Sequence, residues 1–185
     1  MDATKTQSTL DSFIKYVVQQ SKSNLSKKDK NVSKQLYNSI AGKASAKKNS
    51  IEAYFEMESY GMFQDKGVKG KFSSAKAPNS PFKFGKSYGS GDGGLTNAIK
   101  KWVVNRRIQF REREGKGTKG QLLSYNQTAF LITRSIYAKG MKPTEFFSRP
   151  FELAFKKLPD ELIEAYGLDV ETFLKYTLKD NGKES

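Results

Sequence analysis

The apolar residues of this chain change their spacing part-way along it, and that change fixes the class of fold. Leu10, Phe13, Ile14, Val17 and Val18 recur at the i, i+3, i+4, i+7, i+8 positions of a helix with one buried face. Ile51, Ala53, Phe55 and Met57 instead alternate with Glu52, Tyr54, Glu56 and Glu58, as in a strand with one face in water. A chain that carries both periods needs a helix-and-sheet core. We therefore expect a helix-rich α+β fold with a small antiparallel sheet.

The rest of the chain can be read in the same way. A first helix is expected over residues 9–21, with Ser8 as its cap and Asp11 three positions on. A polar loop follows to residue 30, and then a second helix over 31–48 with Val32, Leu36, Tyr37 and Ile40 inward. After the strand at 51–58, Tyr60 to Lys66 reads as a helical turn closed by Gly67. Leu95, Ala98, Ile99, Trp102 and Val103 restore the helical period as far as residue 110, with Trp102 read as core. A further helix over 122–138 is expected to bury Leu122, Ala129, Phe130, Ile132, Thr133 and Ile136 and to end at Gly140, with Pro143 beyond it. Thr144 caps a piece through Phe146 and Phe147, and a helix then carries Phe151, Leu153, Ala154 and Phe155. Pro159 and Gly167 punctuate the last helices, with Asp169 capping 170–179. The expected organisation is one domain, 1–185, with long extended arms: a flexible basic arm at 67–93 and a charged loop at 111–120.

Composition narrows the chemistry. With no Cys and no His, the chain has no disulfide framework, no thiol nucleophile, no Ser-His-Asp triad and no Cys or His zinc site. Glu52, Glu56 and Glu58 lie on a solvated strand face, and the glycines from Gly85 to Gly94 lack the spacing of a phosphate-binding loop, so they read as a hinge. We expect neither catalysis nor a cofactor nor a small-molecule substrate. With no long apolar run and no leader-like start, we also expect a soluble chain made in the cytoplasm, without a membrane partner.

The net charge of +14 is unevenly placed. Residues 1–64 carry 10 basic and 6 acidic side chains, residues 65–149 carry 18 and 5, and residues 150–185 carry 5 and 8. Lys100, Lys101, Arg106, Arg107, Arg111 and Arg113 concentrate the charge on one helix and its exit. A solvated face is the plain reading; acidic partner surfaces or non-specific contact with duplex DNA are the others. The aromatic residues among the lysines at 71–72 and 81–88 could stack on bases, but we favour an arm that packs on a neighbouring subunit.

Two segments, Tyr60-Gly-Met-Phe-Gln-Asp-Lys-Gly67 and Lys142-Pro-Thr-Glu-Phe-Phe-Ser-Arg-Pro-Phe151, carry a resemblance, together with Ser33-Lys-Gln-Leu-Tyr-Asn-Ser-Ile40 and the strand between them. Their order and character resemble the tail-completion (head-tail joining, or neck) proteins of tailed bacteriophages. In that family a segment similar to Thr-Gly-x-Leu-x-x-Ser-Ile precedes a strand, then Tyr-Ala-x-x-Val-Glu-x-Gly-Thr and, near the end, Pro-x-Pro-Phe-Leu-x-Pro-Ala. This chain has Lys34 at the glycine position and Asp65 where Glu is usual, and a long insert separates its two landmarks. The resemblance implies a virion structural protein of the head-tail connector, a homo-oligomeric ring. Its partners would be other neck, portal-adaptor and tail proteins. It would be found at the head-tail junction or upper tail, and in the host cytoplasm during assembly. Phe63, Asp65, Lys66, Lys100, Lys101, Arg106, Arg107, Arg111, Pro143, Phe146, Phe147, Arg149 and Phe151 are the candidate subunit-contact or DNA-facing residues. The alternative is a basic phage-encoded DNA-binding protein that acts through residues 65–149.

Overall fold

A computed structural model describes residues 3–27, 34–47, 50–86, 94–113, 119–160 and 163. The fold is helix-rich α+β, as expected, with six helices and three two-stranded antiparallel sheets among the described residues. The chain folds into two compact units, one formed by 1–65 and 145–185 and the other by 66–144.

Unit 1 is built on α1 (Ala3–Lys27). The helix runs past the expected residues 9–21 at both ends because its buried stripe does: Thr6 extends it one turn back, and Ser21 and Leu25 extend it forward. Ser8 thus lies inside the helix, where its carbonyl accepts the Ser12 hydroxyl, and is no cap. The expected helix over 31–48 is instead a short α2 (Gln35–Ser39) followed by β1 (Ala41–Lys47). The reason is visible at Gly42. It pairs with Phe55 of β2 (Ser50–Glu56), and a Cβ there would come within 2.8 Å of the Phe55 ring, so the small residues of β1 line a strand laid close over large neighbours. Gln7 also serves β1 from α1, donating to the Ala44 carbonyl at 3.0 Å and accepting from the Ala46 N–H at 2.8 Å.

The β2 alternation is observed, with Ala53 and Phe55 buried and Glu52, Tyr54 and Glu56 exposed. α3 (Tyr60–Lys66) follows, closed by Gly67 at φ 70°. Near the other end of the chain, α6 (Ser148–Phe155) completes the core. Phe13, Phe55, Phe146, Phe147, Phe151 and Phe155 pack with Val17, Leu25, Leu36 and Ile40. Their rings meet mostly edge to face, 5.1 Å apart for Phe55 and Phe147 and 5.5 Å for Phe13 and Phe151. The helices expected around Gly167 and over 170–179 lie outside the described residues.

Unit 2 contains β3 (Val68–Lys69), α4 (Leu95–Asn105), β4 (Arg111–Arg113), β5 (Lys119–Leu122), α5 (Tyr125–Lys139) and β6 (Gly140–Met141). β3 pairs with β6, and β4 with β5. α5 starts at a capping box, in which Ser124 Oγ accepts the Gln127 N–H and Gln127 Oε1 accepts the Ser124 N–H. The charged loop expected at 111–120 is a hairpin over its described ends, because β4 and β5 pair across it.

The extended arm expected at 67–93 is corrected for residues 67–86, while residues 87–93 lie outside the described part. Gly67, Val68, Gly70, Ala77 and Ser80 are buried, and the Ser80 hydroxyl donates to the Gly67 carbonyl at 2.7 Å. Of the inward set expected for the helix over 122–138, only Ala129 and Thr133 are fully buried; Phe130 and Leu122, which ends β5, are exposed. Trp102 is half-buried, and Val103 beside it fills the interior.

Candidate interaction surface

The two landmark segments, distant in sequence, meet in space. The chain leaves unit 1 after Asp65 and returns at Glu145. On the unit 1 side, Asp65 is wholly buried, and its Oδ1 accepts the backbone N–H groups of Phe147 at 2.8 Å and Ser148 at 3.1 Å. The Asp65 carbonyl accepts the Glu145 N–H at 3.0 Å. A carboxylate on the free N–H groups that open a helix is favoured by both hydrogen bonding and the helix dipole. Pro150, in the same first turn, has no N–H to satisfy. Asp65 therefore caps α6 from outside the helix, although its Oδ2 is buried without a hydrogen-bond partner.

In unit 2, just after the first segment and just before the second, the chain forms the β3–β6 pair. Gly140 sits there at φ 80°, and a Cβ on it would collide with the Val68 carbonyl, so only glycine fits the turn out of α5. Lys34 also bears on the sequence pattern. It adopts φ 53°, the left-handed region glycine enters freely.

The expected site residues divide accordingly. Asp65, Phe146, Phe147 and Phe151 are interior: the first is a cap, the others are core rings, and none presents a side chain to a partner or to DNA. That corrects the expectation for these four. Phe63, Lys100, Lys101, Arg107, Arg111, Pro143 and Arg149 are exposed, and Lys66 and Arg106 are half-buried. Lys100 and Lys101 flank exposed Val104 at i−4 and i−3 on α4. The Arg111 guanidinium donates to the Gly120 carbonyl at 3.2 Å, tying its side chain to its own hairpin.

The cationic character belongs to one unit. Residues 66–144 carry 17 basic and 3 acidic side chains, a net of +14, whereas the remainder carries 16 of each and no net charge. Unit 2 also leaves Phe72, Val104, Phe110, Leu122, Phe130 and Leu131 exposed. Sequence reasoning missed the role of Tyr137, which gathers Phe72 and Phe84 around itself. It also missed the Asp65 cap. Neither has a local signal, since each depends on partners more than fifty residues away in the chain.

Among the described residues, no group of three or more His, Cys, Asp or Glu side chains is placed to hold a metal ion, and no helix is long and apolar enough to cross a membrane. The Tyr60 hydroxyl is raised above its usual 10.0 by burial first and by the nearby Glu58 second. No protein-family model, no curated protein and no solved structure matches the chain.

Proposed function

We propose that this protein is a structural subunit of the head-tail connector of a tailed bacteriophage, a neck or tail-completion protein. In this reading it forms a homo-oligomeric ring that joins the portal-side adaptor to the tail and lets DNA pass through its lumen, without catalysis or cofactor. The observation that carries the proposal is the meeting of the two landmark segments, Asp65 of the first capping α6 of the second. The resemblance thus falls on one folded feature rather than on scattered strings of residues. The left-handed backbone at Lys34, where the family pattern has glycine, points the same way.

A ring subunit needs faces for its neighbours. The exposed cations Lys100, Lys101, Arg107 and Arg111 and the exposed apolar side chains Val104, Phe130 and Leu131 of unit 2 suit contacts with acidic partner surfaces and with DNA. The confinement of the whole charge surplus to residues 66–144 also favours a second reading, a DNA-binding protein that acts through this region.

Immunogold electron microscopy of particles from an infected culture, with antibody against this chain, separates the two. Label at the junction of head and tail is the expected result. Label in infected cells but on no particle would overturn the connector reading in favour of the DNA-binding one.

A further inference from the structure

We propose that an aromatic cluster on unit 2, built from Phe72, Tyr137 and Phe84 in lysine-rich segments, binds single-stranded nucleic acid. Phe72 is 80% exposed and meets the Tyr137 ring edge-on, with centroids 6.4 Å apart. Phe84 lies 5.7 Å from the same ring, tilted 53° to it, and the Tyr137 hydroxyl donates to the carbonyls of Gly85 and Lys86, each at 3.0 Å.

Backbone pairing holds this cluster in place. The Lys71 N–H donates to the Tyr137 carbonyl at 2.8 Å and the Phe72 N–H to the Ala138 carbonyl at 3.2 Å. The Lys69 N–H donates to the Phe82 carbonyl at 2.8 Å, and its own carbonyl accepts the Phe84 N–H at 3.1 Å. At Gly70 any Cβ would collide with the Ala138 carbonyl, so the two segments lie as close as backbones can. Phe72 is therefore presented from a fixed ledge, not from a loose arm.

Lys69, Lys71, Lys83, Lys86 and Lys139 lie within three residues of these rings along the chain; Lys83, Lys86 and Lys139 are exposed, and Lys69 and Lys71 half-buried. The described segments that build the site, 66–86 and 119–144, contain no Asp or Glu to neutralise them. A polyanion supplies the missing countercharge, and its affinity then falls steeply with salt. An exposed planar ring among cations adds a second requirement, a flat partner surface, which unpaired bases supply. Bases inside a duplex are already stacked and must be drawn out at a cost, so the cluster selects a single strand.

The test is fluorescence anisotropy of the full chain with a labelled single-stranded oligonucleotide of mixed sequence, with the matching duplex, and with poly-glutamate as competitor, across a salt series. The single strand is expected to bind more tightly than the duplex. Phe72→Ala should weaken single-strand binding about ten-fold without changing the salt slope. Lys83→Gln with Lys86→Gln should instead reduce that slope by about 0.7 for each lost contact. All three side chains project from the folded surface, and an unchanged circular dichroism spectrum shows that the variants remain folded. Preference for the duplex, or unaltered binding by Phe72→Ala, overturns the proposal. So does an oligonucleotide that fails to bind, or one that poly-glutamate displaces as readily as unlabelled single strand does, which would make the patch a general anion-facing one. The inference rests on these residues and not on the virion reading, so its failure leaves that reading untouched.

Discussion

Unit 1 hides six phenylalanines and carries no net charge; unit 2 buries, among its described apolar residues, only Val68, Ala77, Val103 and Ala129, and carries the whole surplus of +14. The same chain thus uses two economies of folding. In unit 1 each buried ring removes a large apolar area from water, about 1.5–3 kcal/mol for a Phe. In unit 2 the interior is filled by small and polar side chains, including Thr128 and Thr133, while larger apolar groups such as Phe130 and Leu122 face outward. The difference teaches that unit 1 spends its large apolar side chains on a core, while unit 2 leaves more of its apolar and cationic side chains at the surface.

The strongest way to break this comparison is to truncate a core residue in each unit. Phe151→Ala should cost about 3–5 kcal/mol in urea unfolding, and Val103→Ala about half of that. Equal losses would mean that unit 2 holds as much of the stability as unit 1. Asp65→Ala comes next, at about 2 kcal/mol, because it strands the Phe147 and Ser148 N–H groups in the interior; Asp65→Asn, which retains an acceptor oxygen, should cost less. Thermal melts that leave both variants at the parent midpoint would remove the cap from the account.

Gly140→Ala should cost about 1–3 kcal/mol through strain at φ 80° and the clash with the Val68 carbonyl. Its signature is faster hydrogen exchange in β3 and β6, with unit 1 unaffected; uniform loss of protection would count against a local role. The smallest effect concerns pH. The Tyr60 hydroxyl is raised in the folded state, so its neutral form is favoured there. That contribution is complete below the unfolded value near 10 and is lost as pH rises through the folded value. Stability measured from pH 9 upward should fall less steeply in Tyr60→Phe than in the parent.

The sequence was most legible where the period of apolar residues was long and the partners were local. The stripe from Leu10 to Val18, the alternation from Ile51 to Met57 and the turn closed by Gly67 all appear where the spacing predicts them. The end of α1 was harder to read because polar Thr6 and Ser21 occupy buried positions of its stripe. The strand β1 was illegible because Ala41 to Lys47 offers no period of its own and is fixed by pairing with β2. On α5 the spacing placed Phe130 inward, yet the structure turns Thr128 to the interior, beside the expected Ala129 and Thr133. Of the candidate site, the exposed cations were legible as charge. Asp65, Phe146, Phe147 and Phe151 were misread as contact residues because a capping carboxylate and core rings look in sequence like an interface motif.

The most direct test of the two-unit account is hydrogen exchange of the free chain, followed by mass spectrometry. The account predicts the slowest exchange in α1, β2 and α6, around the phenylalanine core, and distinctly faster exchange in α4, α5 and the β4–β5 hairpin. Equal or greater protection in the cationic unit would contradict it, because the residues assigned to partners would then already be held as firmly as the core.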